Sequence, residues 1–246
     1  MAAPREITIE CLTGHWVLNK DMTSETDPIL KLVRIITIST NPINSKLTIT
    51  HYPQQKVHWL IRKAFRYATI YLQISQYPTP ATETSQPSTK IDFMQTATAG
   101  LAATKEERLL DWKISDHEDY FFGSVRGQSH FIHGAVDESG IIRPEFDFQT
   151  AGANAEIKRF LRGEIEADGR KSAGFLVEDW SGMAEERPGL WVHTFEQNDK
   201  SGWTAEQIWG FEMFGDSRYF SRRVVVMTTK GEYLCGRLVF DFSMNL

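Results

Sequence analysis

Between Trp203 and Glu212 the chain reads Trp-Thr-Ala-Glu-Gln-Ile-Trp-Gly-Phe-Glu. Taken two at a time, Trp203, Ala205, Gln207, Trp209 and Phe211 fall on one side of an extended strand, and Thr204, Glu206, Gly210 and Glu212 on the other. This period predicts a half-buried β-strand. Arg218–Met227 follows with a β-branched density that suits a strand, and Glu232–Phe242 alternates again after the turn residues Lys230-Gly231. Three consecutive antiparallel strands result. Their aromatic side needs a cover, and curling the sheet into a closed barrel supplies one while removing raw edges.

The upstream chain reads as the rest of that barrel. Thr69–Tyr77 alternates Thr69, Tyr71, Gln73 and Ser75 against Ile70, Leu72 and Ile74 and is a strand. After the loop Pro78–Pro87, Lys90–Thr98 is another, Gly100–Thr104 is a turn, and Glu107–Ser115 is a strand with Leu110, Trp112 and Ile114 on one side. His117-Glu118-Asp119 reads as a turn into the strand Tyr120–Phe131. One side of that strand is small (Gly123, Val125, Gly127, Ser129) and the other carries Phe122, Ser124, Arg126, Gln128 and His130. Either the small side makes room in a lumen or the polar side is functional. Ala173–Trp180 and Trp191–Gln197 complete the strands.

Two stretches interrupt the β pattern. Capping and acidic residues from Ser24 to Pro28 predict an early helix through Ile29, Leu30 and Leu32, which breaks at Val33–Gln55 and resumes as a basic amphipathic pattern over Val57–Tyr67. The interruption reads as an insertion: a surface loop or flap, an extra hairpin, or retained intron sequence. The basic residues of this region, Lys31, Arg34, Lys46, Lys56, Arg62, Lys63 and Arg66, form a solvated face or a patch that attracts an anionic group. His133–Asp168 is a long connection with a helical piece, Asn154–Glu166, whose Ile157, Phe160, Leu161 and Ile165 share a face. Residues 133–170 serve either as a lid or as packing. The expected architecture is all-β with minor α, one domain built as a closed antiparallel barrel of about eight or nine strands, wide enough for one small ligand.

At 246 residues, 41% hydrophobic, the chain can bury a sizeable core. A net charge of -5 gives no reason to expect nucleic acid or an anionic membrane as partner. Met-Ala-Ala-Pro-Arg-Glu at the N-terminus has no apolar signal core and no later stretch suits a membrane span, so the expected location is the cytosol. Cys11 and Cys235 have no metal-type or redox spacing and read as free thiols. Phosphate loops, dinucleotide fingerprints, zinc-protease motifs and nucleophile elbows do not occur in the sequence. His130 and His133 lack a third ligand nearby, so no metal is expected, and Glu106-Glu107 and Glu185-Glu186 read as solvated turn charges. Chemistry without a cofactor, or plain binding, remains.

Leu12-Thr-Gly-His-Trp-Val-Leu-Asn-Lys holds Gly14-x-Trp16, the opening-strand signature of lipocalin-type barrels, in which the glycine permits a tight bend and the indole plugs the closed end. With it stand Asp27-Pro-Ile-Leu-Lys-Leu, Val57-His-Trp-Leu-Ile-Arg-Lys-Ala, Thr104–Trp112, Asp116-His-Glu-Asp-Tyr-Phe-Phe-Gly-Ser-Val-Arg-Gly-Gln-Ser and Gly202-Trp-Thr-Ala-Glu-Gln-Ile-Trp-Gly-Phe-Glu. Through these segments the chain resembles the lipocalin-like proteins of fungal natural-product gene clusters, and more narrowly the hetero-Diels–Alderases of tropolone–sesquiterpenoid pathways. The resemblance spans nearly the whole chain except Val33–Gln55. It implies a cofactor-free pericyclase: a hydroxymethyl tropolone or catechol-type precursor loses water to an o-quinone methide, which adds across an alkene of a humulene-type sesquiterpene. Such a reaction needs a base, a proton donor, a hydrogen bond to the carbonyl oxygen and a shaped apolar site.

Alternation nominates the residues. Gln207, between Trp203, Trp209 and Phe211, is either a polar group in an apolar wall or a core amide satisfied by backbone. His193, two residues after Trp191, is the candidate for proton transfer or a structural buried histidine. Tyr71 and Tyr219 are candidate donors from opposite walls, and Arg126 is an anion binder or a rim salt bridge. A carrier of an apolar metabolite, or an isomerase or cyclase acting on another terpenoid or polyketide, are the other functions this sequence admits. It leaves the oligomeric state open, a homodimer included.

Overall fold

The structure, a computed structural model, describes residues 1–24, 68–81, 86–98, 104–119, 123–152, 154–181 and 187–244. The expected early helix, the insertion at 33–55 and Glu185-Glu186 lie outside these residues. Ten strands form one antiparallel sheet: β1 (Gly14–Leu18), β2 (Ile70–Thr79), β3 (Ser88–Ala97), β4 (Thr104–Leu109), β5 (Ser115–Asp119), β6 (Gly123–Ile132), β9 (Trp191–Asn198), β10 (Trp203–Phe214), β11 (Ser217–Thr228) and β12 (Tyr233–Ser243). A two-stranded hairpin, β7 (Gly134–Val136) and β8 (Ile142–Pro144), and a short helix α1 (Ala155–Leu161) sit between β6 and β9.

The large sheet runs β4-β3-β2-β1-β12-β11-β10-β9-β6-β5 and curls into a nearly closed barrel. Two features differ from the sequence reading: among the described residues the sheet has ten strands rather than eight or nine, and β4 and β5 stay unpaired with each other as its two edges. The cause is local. The stretch expected to run as one strand through Ser115 breaks after Leu109, because Trp112 takes a left-handed φ of 59° and the Asp111 carboxylate accepts from the Lys113 N–H at 3.0 Å. Leu110 therefore turns inward while Ile114 is left 65% exposed. The freed chain starts β5 at Ser115, so His117-Glu118-Asp119 is strand rather than turn. Side chains and one backbone bond span the seam: the Trp112 N–H donates to Ser129 O at 2.9 Å and Arg108 Nη1 to Ser129 Oγ at 3.1 Å.

Strand parity separates an inner from an outer layer. Inside one half of the barrel Trp16, Leu72, Ile74, Ile91, Phe93, Trp209, Phe211, Phe220 and Phe240 form a continuous core. Each such side chain contributes about 1.5–3 kcal/mol when fully buried. Trp16 is fully buried, donates its Nε1–H to Leu12 O at 3.0 Å and packs on Phe220 and Phe242 with centroids 5.2 and 5.0 Å away. Gly14 opens this strand at φ 150°, and a Cβ there would lie 2.6 Å from the Phe242 ring. A smaller apolar cluster, Val125, Trp203, Ala205, Val224 and Val226, fills the other half.

The outer wall is covered as well. Asn154 caps α1 by accepting from the Ile157 N–H at 3.0 Å, and Ile157, Phe160 and Leu161 pack with Ile165, Phe175 and Trp191 on Ile208, Val225 and Met227. The connection through α1 thus lies along the outside of β10 and β11. Ala173–Trp180, expected as a strand, is irregular; it pairs with the sheet at one isolated bridge, Phe175 to Glu212, and Glu178 is ion-paired with Arg218 of β11. The wall admits the Trp191 ring there because residue 210 is glycine; a Cβ would come within 2.6 Å of the indole.

Candidate functional site in the barrel lumen

Between the two apolar clusters the inner wall turns polar. On β11 the inward positions run Phe220, Arg222, Val224, and on β10 they run Trp209, Gln207, Ala205, in register as Trp209 with Arg222 and Gln207 with Val224. Across the lumen, β4 sets Glu106 beside the inward Phe93 of β3 and places Arg108 on the same side. Glu196 of β9 and His117 of β5 join them.

Arg108 Nη2 forms an ion pair with both Glu106 and Glu196. Glu106 is enclosed by the wall yet keeps 31% of its side-chain surface accessible, as a group lining a cavity does. Burial pushes its carboxyl up against the pull of Arg108, and the neighbouring Glu196 adds to the rise. Arg222 lies 4.0 Å from the Trp209 ring centroid, 5.0 Å from Phe93 and 5.3 Å from both Phe220 and Phe240. Burial draws this guanidinium down to about 9, so it remains a cation at neutral pH. Its Nε and Nη2 have no hydrogen-bond partner among the described residues.

A cleft of about 320 Å³ reaches Glu106, Arg108, His117, Gly127 and Ser129 from outside. It lies at the seam where β4 and β5 fail to pair, so the incomplete closure of the barrel opens onto its polar band. The small side of β6 faces inward at this point: a Cβ on Gly127 would lie 3.6 Å from Glu196 and 3.7 Å from His117. Side-chain atoms of Glu106, His117 and Glu196 come within 4.8 Å of one another, a spacing that suits a divalent ion. Arg108 already bridges the two carboxylates, and an ion there would have to displace that guanidinium.

The residues nominated from sequence divide between the two sides of the wall. Trp203, Trp209 and Phe211 are buried inside, and Gln207 lies among them, accepting from Trp209 Nε1 at 3.1 Å. His193, Trp191, Tyr71, Tyr219 and Arg126 have outward parity and do not meet the lumen group. Trp191 is fully buried under α1. Tyr71, half-buried, alternates with the inward Leu72, and Tyr219 packs edge-on against Phe214 at 5.7 Å. Arg126 pairs with Asp199 at 2.7 Å, the two side chains 42% and 63% exposed.

His193 anchors a separate buried cluster. Its Nε2 meets Glu206 Oε1 at 2.8 Å and its Nδ1 meets His130 Nε2 at 3.1 Å. Glu206 also accepts from the backbone N–H groups of Gln149 and Thr150 and from Thr150 Oγ1 at 2.7 Å, fastening that segment to the outer wall. Trp112 stacks on His130 with centroids 3.9 Å apart. Burial, and then the neighbouring His193, hold His130 down at about 4.

Sequence reading missed Glu106, Arg108, Glu196, His117 and Arg222. The signal for Arg222 was present, because it sits at period two between Phe220 and Val224 on an otherwise apolar face. Glu106 and Glu107, expected together as solvated turn charges, lie on a strand that sends them to opposite sides, and Glu107 is the outward one, bonded to Lys90 and Lys105 at 2.6 and 2.7 Å.

A protein named probable pericyclase scpY, from Mollisia scopiformis, is 24% identical to this chain over 243 residues, covering 98% of the chain and 94% of its own length. No protein-family model matches the sequence. No solved structure matches it. Among the described residues no helix is long and apolar enough to cross a membrane.

Proposed function

We propose that this chain is a cofactor-independent pericyclase of fungal secondary metabolism. Its substrates on this reading are a hydroxymethyl tropolone or catechol-type precursor and a humulene-type sesquiterpene. The observation that carries the reading is the polar band of Glu106, Arg108, Glu196, His117 and Arg222 set between two apolar, aromatic clusters of one lumen. The full-length similarity to a protein named as a probable pericyclase supports it.

In the first step the precursor loses water. Glu106, whose carboxyl burial pushes up, delivers a proton to the departing hydroxyl oxygen, while the Glu196 carboxylate or the His117 imidazole takes the acidic ring proton. One proton enters and one leaves, and no electrons are exchanged with a cofactor. The resulting o-quinone methide then forms one C–C and one C–O bond to the terpene alkene. Holding the two partners face to face in one site contributes up to about 7–11 kcal/mol to such a step. Gln207 and Arg222 supply donors to the carbonyl oxygen as it gains charge.

A barrel that only carried a greasy metabolite would have no use for several ionic groups in its interior, each of which costs several kcal/mol to desolvate. The deciding experiment incubates purified protein with the hydroxymethyl precursor and humulene and follows the adduct by chiral chromatography. A single stereoisomer formed well above the uncatalysed rate is expected. Retention of either molecule with adduct only at background would establish a carrier instead.

A further inference from the structure

Two consecutive arginines on β11 point to opposite sides of the same wall. Arg223, outward and fully buried, donates to Glu212 from Nε at 3.0 Å and from Nη2 at 2.9 Å, to Phe160 O and Ile165 O from Nη1 at 3.1 and 2.7 Å, and to Ser172 Oγ from Nη2 at 2.8 Å. That is how a buried guanidinium with a structural duty is accommodated: every nitrogen has an acceptor. Arg222 is treated differently. Four aromatic rings flank it, and rings favour a cation through their faces but offer no acceptor in the plane of its N–H groups.

Among the described residues the unpartnered nitrogens are Nε and Nη2, the pair that forms one edge of the guanidinium and binds a carboxylate through two parallel hydrogen bonds. The carboxylates across the lumen, Glu106 and Glu196, are both engaged by Arg108. Neither therefore supplies Arg222 with an acceptor, and its free edge is left for an incoming anion. The cleft at the seam reaches Glu106, Arg108 and His117 of that band.

We infer that Arg222 is the receptor for a ligand oxyanion, so that the lumen selects aromatic or polyene molecules bearing one acidic oxygen: an enol, a phenol or a carboxylic acid. This rests on the lumen being the ligand site, as in the proposed function, and it concerns binding, whatever reaction follows.

The test is calorimetric titration of the full chain at neutral pH with 2-naphthoate and with 2-naphthamide, two probes alike in size and differing in charge. Wild type is expected to bind the carboxylate about tenfold or more tightly than the amide. Arg222→Met should abolish that preference by weakening the carboxylate far more than the amide, Arg222→Lys should restore part of it, and Arg126→Ala, on the outer surface, should alter neither. Circular dichroism confirms that each variant is folded; should Arg222→Met not fold, Arg222→Gln and the lysine variant carry the comparison. Equal affinity for the two probes, binding of neither, or a preference that survives removal of the guanidinium would overturn the inference. Failure of adduct formation with the naphthoate preference intact would instead remove the pericyclase reading and leave the receptor.

Discussion

Arg222 and Arg223 share a strand, a neighbourhood and a charge, and the protein spends them on opposite tasks. Arg223 ties the outer face of β11 to Glu212, Ser172 and the end of α1. Arg222 is held among rings with one edge unused. Burial alone therefore does not separate a structural ion from a functional one; the count of acceptors around it does.

The harshest way to probe this contrast is Arg223→Met. It takes from the buried Glu212 carboxylate its nearest cation, leaving it Ser221 and Arg237, and a loss of about 3 kcal/mol is expected in urea unfolding. If Arg223→Met were tolerated as well as Arg222→Met, the distinction would collapse. Glu106→Gln keeps the shape of the lumen group but cannot release a proton, so adduct formation in single-turnover assays should fall by about a hundredfold with stability nearly unchanged. Arg222→Met should reduce turnover by about tenfold while leaving stability within about 1 kcal/mol of wild type or raising it, because it removes an unsatisfied ion.

Acid titration addresses the outer histidine cluster. His130 is held at about 4 in the fold against 6.5 for a free histidine, so between these values the unfolded chain binds more protons. The stability due to this group is present above the higher value and drains away as the pH falls toward the lower one. Unfolding midpoints measured across that window should decline more steeply for wild type than for His130→Asn. The smallest effect belongs to Arg126→Ala. Its ion pair with Asp199 is largely exposed and screened, worth at most about 1 kcal/mol, and turnover should not change.

Legibility in the sequence followed how local the causes were. The meander β10 to β12 was readable within about two residues because alternation and tight turns are properties of short segments, and the inward direction of Trp203, Gln207, Trp209 and Phe211 came with it. The edges of the barrel were not, since they depend on the left-handed turn at Trp112, a conformation no tryptophan advertises. His193 was nominated for its chemistry, and the parity of β9 sets it on the outside against Glu206. The lumen charges come from β4, β5, β9 and β11, and their meeting depends on how the sheet curls rather than on any spacing along the chain.

The seam gives the fold a mechanical property that a complete cylinder lacks. A ring of strands zipped all the way round has a girth set by its backbone ladder, and no bulky guest can widen it without tearing that ladder. Here β4 and the turn that follows it are fastened to β6 by the guanidinium of Arg108 and by the Trp112 amide, both on Ser129. These are single bonds rather than a ladder, and parting them leaves every strand paired with its neighbours in the sheet.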